Sequence, residues 1–205
     1  MGAEDIREVL MLLSILIPTL EERRSKLTVL LDYINSQIKY CKVVGKVEIL
    51  TDCDNRQRTT GAKRNSLLER ATGYFSAFVD DDDWLSATYV RDIITIAKTR
   101  NFDCVGFYGE VWFRSSGNWA RDGYMVHSVL CQAWTQNGNM YYRPPNHLNP
   151  IRTDISRQVK FRNITISEDH FWSLDMAKSR RVRNEVFLGG APTYIYRSDT
   201  EKRGL

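Results

Sequence analysis

The sequence predicts an α/β fold organised on a parallel sheet, and three stretches predict it. Leu12-Leu13-Ser14-Ile15-Leu16-Ile17 is a continuous apolar run, the pattern of a strand buried on both faces. A helical segment with apolar residues at Leu27, Leu30, Leu31 and Ile34 leads to a second apolar stretch, Val43 to Leu50. Strand, helix and strand at this spacing form a parallel crossover unit. Tyr74-Phe75-Ser76-Ala77-Phe78-Val79 is a third buried run, and four carboxylates, Asp80-Asp81-Asp82-Asp83, follow it at once.

In chain order, Pro18 is expected to end the first strand, and Pro18-Thr19-Leu20 to turn into the charged segment Glu21 to Lys26. Thr51-Asp52-Cys53-Asp54-Asn55 reads as the polar exit of the second strand. Thr59-Thr60-Gly61-Ala62-Lys63-Arg64-Asn65 opens a helix with Leu67, Leu68 and Ala71 on its apolar face and Gly73 as its terminator. Lys63 and Arg64 in its first turn oppose the helix dipole, which makes sense if an anion such as a diphosphate docks at that helix start. A plain surface Lys-Arg pair is the alternative. A helix from Asp83 or Ser86 carries Tyr89, Val90, Ile93, Ile94 and Ala97, and Asp103 to Tyr108 reads as another strand.

From Val111 to about Tyr142, Trp112, Trp119 and Trp134 stand among Gly, Ser and Asn, which reads as a loop-rich second lobe. No Pro/Gly linker divides the chain. We therefore expect one domain over residues 1–205, with a ligand-binding half at 10–110 and an acceptor half at 111–205. Arg143 to Ile151 is rigid and polar and sets His147 among three prolines. Ile164 to Trp172 presents Glu168-Asp169 at a helix start whose buried face is expected at Phe171, Leu174 and the stem of Lys178.

The acidic run is the chemically informative stretch. Four adjacent like charges repel, and ligands of open α/β sheets bind beyond the carboxyl ends of the strands. A divalent cation relieves the repulsion, since Mg²⁺ and Mn²⁺ take oxygen ligands, often one or two carboxylates plus substrate phosphates. A solvated acidic turn with Asp83 as a helix cap is the competing reading.

Composition excludes little. With 205 residues, 42% hydrophobic and 26% charged, the chain is ordinary for a globular protein, and a net charge of +4 permits a polyanionic partner without requiring one. Cys41, Cys53, Cys104 and Cys131 contain no Cys-x-x-Cys and read as reduced thiols. Val9 to Leu20 is apolar, but Glu4, Asp5 and Glu8 precede it where a secretory signal would be basic, and it is too short to span a bilayer. Ile6 breaks the myristoylation pattern begun by Met1-Gly2. These features lead us to expect a cytoplasmic protein without stable membrane insertion.

Taken in order, the strand ending at Pro18-Thr19, the strand ending at Thr51-Asp52, Gly61 to Asn65, Phe78 to Asp83, and Glu168-Asp169 closely resemble the family 2 glycosyltransferases of the GT-A fold. The resemblance covers about Leu12 to Asp103 and resumes around Phe161 to Leu174. It implies a Rossmann-like mixed sheet flanked by helices. It also implies inverting transfer from a nucleotide-sugar donor, usually a UDP-sugar, to an acceptor hydroxyl, helped by Mn²⁺ or Mg²⁺. By the same resemblance Pro18 and Thr19 line the nucleoside pocket, Asp52 bonds the base, and Arg64 contacts the nucleotide or diphosphate with Lys63 beside it. Asp80 faces the ribose and Asp82 the metal, Asp81 takes the variable place between them, and Asp83 is an extra acid near the metal. Asp169, with Glu168 before it, matches the catalytic base.

Two departures narrow the resemblance. The Gln-x-x-Arg-Trp signature of processive polymer synthases and transmembrane helices are both missing, which argues against a membrane polysaccharide synthase. Where some GT-A enzymes place a later histidine as third metal ligand, the nearest residues here are Tyr194, Tyr196 and Arg197, and His147 is the substitute. The acceptor is open: a glycan, a small molecule or modified nucleic acid. Lys178, Arg180, Arg181 and Arg183, with Arg157, Lys160 and Arg162 upstream, are either a solvated face or a recruiter of an anionic acceptor. Rival readings are a non-catalytic nucleotide- or sugar-binding protein and a metal-dependent nucleotidyl or phosphoryl enzyme. A pyrophosphorylase would need a Gly-rich first loop, and Leu20 to Lys26 has no glycine.

Overall fold

The structure is a computed structural model, and it describes residues 11–115 and 117–198. The amino-terminal features Met1-Gly2, Glu4, Asp5, Ile6, Glu8 and Val9 lie outside the described residues. Strand β1 (Leu13–Leu20) is flanked in parallel by β2 (Val47–Asp54) and β3 (Phe75–Phe78), with helices α1 (Arg24–Tyr40) and α2 (Thr60–Arg70) as the crossovers. The apolar run of β1 is continuous because both of its faces are covered. Leu13, Ile15 and Ile17 share a core with Leu30 and Ile34 of α1, while Leu16 packs in a second core with Leu67 and Leu68 of α2. Full burial of each such side chain contributes about 1.5–3 kcal/mol.

Pro18 does not end β1, which continues to Leu20. Pairing with β3 stops at Leu16↔Phe78, so beyond it that edge has no ladder bond for a proline to break. The second strand likewise starts later than expected and includes Thr51 to Asp54, because backbone pairing to Ile17–Leu20 is indifferent to side-chain polarity. Gly73 is not the helix terminator: α2 ends at Arg70, with Ala71 already extended. A Cβ on Gly73 would stand 2.5 Å from the Ser14 backbone nitrogen, so glycine permits the close approach to β1 there.

The acidic run does not lead directly into a helix. Trp84–Leu85 forms β4, and α3 (Tyr89–Thr99) begins later, burying the expected Tyr89, Val90, Ile93, Ile94 and Ala97. The second half is rich in strands rather than loops. β5 (Cys104–Ser115) and β6 (Asn118–His127) make a long antiparallel hairpin, followed by β7 (Thr135–Asn137), β8 (Met140–Arg143), β9 (Ile151–Arg152) and the short α4 (Thr153–Ser156). α5 (Glu168–Ser179), β10 (Glu185–Leu188) and β11 (Tyr194–Ser198) complete the described chain. The mixed sheet runs β2-β1-β3-β9-β5-β6-β8-β7, with β10 and β11 also on β5 and β4 on β11.

α5 starts at Glu168 as expected, but its buried face is Glu168, Trp172, Ser173 and Met176. Phe171 and Leu174 are half-buried and Lys178 is exposed. Trp172 sets the rotation: it stacks on Phe161 at 4.8 Å and donates from Nε1 to the Val159 carbonyl at 2.8 Å. Among the described residues no helix is long and apolar enough to cross a membrane.

Candidate active site

The carboxyl ends of β1 and β3, the side of α2 and the start of α5 enclose a cavity of about 570 Å³. Pro18, Thr19, Lys63, Arg64, Asp80, Asp81, Asp82 and Glu168 line it, together with Arg23, Arg58, Thr165 and Tyr196. Parallel pairing sets Pro18 opposite Asp52 and Thr19 opposite Cys53 at the strand ends.

Arg64 is the centre of the charge network. It is fully buried, its Nη2 donates to Asp80 Oδ1 at 2.9 Å, and its Nε donates to Glu168 Oε1 at 3.2 Å. The guanidinium also lies 5.0 Å from the Phe78 ring centre, a cation–π contact. Burial would raise the Asp80 carboxyl, but Arg64 and His147 outweigh it and hold the group well below the usual carboxylate range. Glu168 is pushed up by its own burial, which Arg64 only partly offsets while Asp169 adds to it.

Lys63 reaches from α2 to the ends of β1 and β2, donating to the Thr19 carbonyl at 2.7 Å and pairing with Asp54. The expected anion site at the start of α2 is closed. Thr59 Oγ1 accepts from the Ala62 N–H at 3.1 Å, and the Gly61 N–H donates to the Ile164 carbonyl at 3.0 Å. A Cβ on Gly61 would come within 1.9 Å of the Arg162 carbonyl oxygen. The segment around 161–164 thus seals the helix end, and Lys63 and Arg64 are turned sideways towards the strand ends.

Asp52 is buried, and Arg58 holds both of its oxygens, with Nη1 at 3.0 Å from Oδ2. Arg58 rather than Asp52 forms the cavity wall there. Asp81 is also buried, accepting from Thr19 Oγ1 at 2.5 Å and from Arg23 at 2.8 Å. Asp82 keeps 27% of its side chain exposed, with Arg23 at 3.0 Å and Lys26 at 3.9 Å. Its carboxyl is raised by burial, against the pull of Arg23, with Asp80 and Asp81 adding to the rise.

Asp83 faces inward. Its Oδ2 accepts from the Tyr194 hydroxyl at 2.7 Å and its Oδ1 from the Arg197 N–H at 2.7 Å. Burial, then Asp80, pushes this carboxyl well above the usual range. His147 is buried at the end of β3, where its carbonyl accepts from the Phe78 N–H at 2.9 Å. Its Nε2 lies 3.5 Å from Asp80 and its Nδ1 3.9 Å from Asp169, so it stands between those two carboxylates. Asn146 and Asn149 fix its loop: the Asn146 N–H donates to Asn149 Oδ1 at 2.9 Å.

Among the described residues no three His, Cys, Asp or Glu side chains form a metal cage. A Mg²⁺ or Mn²⁺ that shares diphosphate oxygens needs only one or two carboxylates. Asp82 suits that arrangement, being on the cavity wall with an incompletely compensated charge. Asp83 does not, because both its oxygens already serve Tyr194 and the Arg197 backbone.

Sequence reasoning missed Arg23 and Arg58, and it named Tyr194 and Tyr196 only as the residues nearest the place of a third metal ligand. Arg23 had one signal, its place in the charged segment after β1; Arg58 carries no local pattern. The basic residues upstream of α5 are already engaged. Arg157 donates to the Leu68 carbonyl at 2.9 Å, Lys160 pairs with Glu69 at 3.0 Å, and Arg162 lies 3.6 Å from Asp175. Arg180, Arg181 and Arg183 are exposed, and Arg180 stands about 16 Å along the helix from Asp169.

No protein-family model and no curated protein matches the sequence. Solved structures do match. A crystal structure of S. aureus TarS residues 1–349 superposes with a TM-score of 0.61 at 14% identity, covering 91% of this chain and 60% of that one. The same portion of TarS in complex with UDP-GlcNAc gives a TM-score of 0.60 at 14% identity, with 93% and 60% covered. Its complex with UDP gives 0.60 at 14%, with 92% and 61% covered. The chain thus spans about 60% of the TarS portion it matches, and it has the mixed α/β fold of that GT-A-type structure.

Proposed function

We propose that this protein is an inverting glycosyltransferase that moves a sugar from a UDP-sugar to an acceptor hydroxyl. The observation that carries the reading is the meeting of Asp80, Arg64, His147 and the Glu168-Asp169 pair at one mouth of the sheet. The likeness to TarS, which was crystallised with UDP-GlcNAc and with UDP, supports a nucleotide-sugar donor.

In this reading Pro18, Thr19 and the Asp52–Arg58 pair receive the nucleoside, and Asp80 faces the ribose. Asp82, with Asp80 beside it, would hold a Mn²⁺ or Mg²⁺, which when bound neutralises charge on the departing diphosphate. Asp169 takes the proton of the acceptor hydroxyl as its oxygen bonds to the anomeric carbon. The bond from that carbon to the diphosphate breaks, its electron pair leaves with UDP, and attack from the opposite face inverts the centre. Arg64 keeps Asp80 ionised and Glu168 in place, and His147 separates the donor and base carboxylates.

The test is calorimetric titration of UDP-sugars with and without Mn²⁺, paired with a donor-hydrolysis assay. The reading expects Mn²⁺-dependent binding and slow hydrolysis of at least one donor. Binding without hydrolysis would make the protein a nucleotide-sugar binder, and no binding would end the proposal.

A further inference from the structure

The stretch around the first turn of α5 contains a charge that the donor site does not use. Arg143, at the end of β8, is half-buried and close enough to Asp169 to feel its charge. Its guanidinium carbon stands 4.1 Å from the centre of the Trp134 ring and 6.0 Å from that of Tyr141. Trp134 is itself held: its Nε1 donates to Ser173 Oγ at 3.2 Å, and its ring meets His170 edge-on at 4.6 Å. His170 directly follows Asp169 in the chain, so this cluster borders the proposed base.

Among the described residues no side-chain hydrogen bond and no ion pair reaches the Arg143 guanidinium, although aromatic rings lie against it. The guanidinium keeps its charge and its five N–H donors, and because it is only half-buried those donors are open to solvent and to a ligand. Burial lowers its pKa, with Asp169 the largest of the charges acting against that. Ring contacts satisfy its faces but not its in-plane donors, and that fork matches a phosphate or a carboxylate. The exposed arginines at the far end of α5 share neither the partial burial nor the nearness to Asp169.

We infer that Arg143, Trp134 and His170 form an acceptor subsite that receives an oxyanion carried next to the hydroxyl to be glycosylated. The inference rests on the transferase reading above and gives its acceptor a chemical class. With the oxyanion on Arg143, the neighbouring hydroxyl lies at Asp169 and the rest of the acceptor lies against the Trp134 and His170 rings.

The experiment reads binding directly, apart from transfer. The indole N–H signals of the protein are followed by NMR, with the Trp134 signal assigned by Trp134→Phe. Glycerol 3-phosphate, glycerate and neutral glycerol are titrated in turn. Glycerol 3-phosphate, glycerate or both should shift the Trp134 signal saturably while glycerol does not; the stronger of the two names the oxyanion. Arg143→Gln should weaken that binding by about tenfold or more. Arg143→Lys, which keeps the charge without the fork, should fall between and serves if the Gln variant does not fold. Arg181→Gln, an exposed charge at the far helix end, should bind as wild type. Equal shifts with glycerol, no shift with either anion, or wild-type binding by a folded Arg143 variant would overturn the subsite. If anion binding is seen but no UDP-sugar binds, the oxyanion site stands but its role as an acceptor subsite falls with the transferase reading. If UDP-sugar is bound and hydrolysed but neither anion shifts Trp134, the transferase reading stands and the oxyanion site falls.

Discussion

Arg64 reaches Asp80 at 2.9 Å from within the core, tying the end of β3 to the side of α2. The same guanidinium meets Glu168 at 3.2 Å, so one cation serves two carboxylates from distant parts of the chain. Removing it leaves Glu168 without its ion-pair partner and Asp80 with only His147. Arg64→Gln should lower the unfolding free energy by about 3–5 kcal/mol, measured by urea denaturation at neutral pH. A change below 1 kcal/mol would mean that water or another cation replaces it, since ordinary surface changes fall within about ±0.5 kcal/mol.

Asp82 and Asp81 should separate by assay. Asp82→Asn should remove most of the Mn²⁺-dependent part of UDP binding in calorimetry while leaving thermal stability close to wild type. Asp81→Asn disturbs the contacts to Thr19 and Arg23, so it should destabilise by about 1–3 kcal/mol. The resemblance gave Asp81 the variable place between Asp80 and Asp82; its burial gives it a part in holding Thr19 and Arg23. Unchanged metal dependence in Asp82→Asn would move the cation to another carboxylate.

Asp169→Asn should keep donor affinity and lower transfer by about 10²-fold or more, the usual loss on removing a general base. Donor affinity comes from calorimetry and turnover from released UDP. Full turnover in the variant would shift the base to Glu168, whose carboxyl is already raised by burial.

Asp83 makes stability depend on pH. Its carboxyl is raised in the folded state by burial and by Asp80, so the folded protein holds that proton more tightly than the unfolded chain. The sign follows: its favourable contribution is present below about pH 4 and is lost as pH rises through the raised folded value. Asp83→Asn, a neutral mimic, should therefore gain stability relative to wild type as pH is raised from about 4 to about 8. Denaturant unfolding at several pH values checks this, and a flat or shrinking difference would show Asp83 ionised throughout.

Local pattern was enough for much of the fold. Leu13 to Ile17 read as a doubly covered strand because α1 and α2 do cover both faces. Thr59 read as a helix opening because its own side chain accepts from Ala62 three residues on. Glu168 read as a helix start because acidic residues favour a helix N-terminus. Each of these signals lies within a few residues of what it specifies, so the sequence by itself determined the parallel crossover units and the acidic run at a strand end.

The direction in which each charge faces needed tertiary structure. Asp83 turns inward because Tyr194, 111 positions away, and the Arg197 backbone offer donors where β4 meets β11. The start of α2 is sealed by a segment about 100 residues downstream, which no helix-dipole argument could anticipate. Arg143 sits beside Asp169 because β8 and α5 come together through Trp134 and Ser173. Propensity and periodicity act over one or two turns of chain. A carboxylate's partner, by contrast, is set by whichever donor the packed sheet brings within about 3 Å, and only the folded chain brings those groups together.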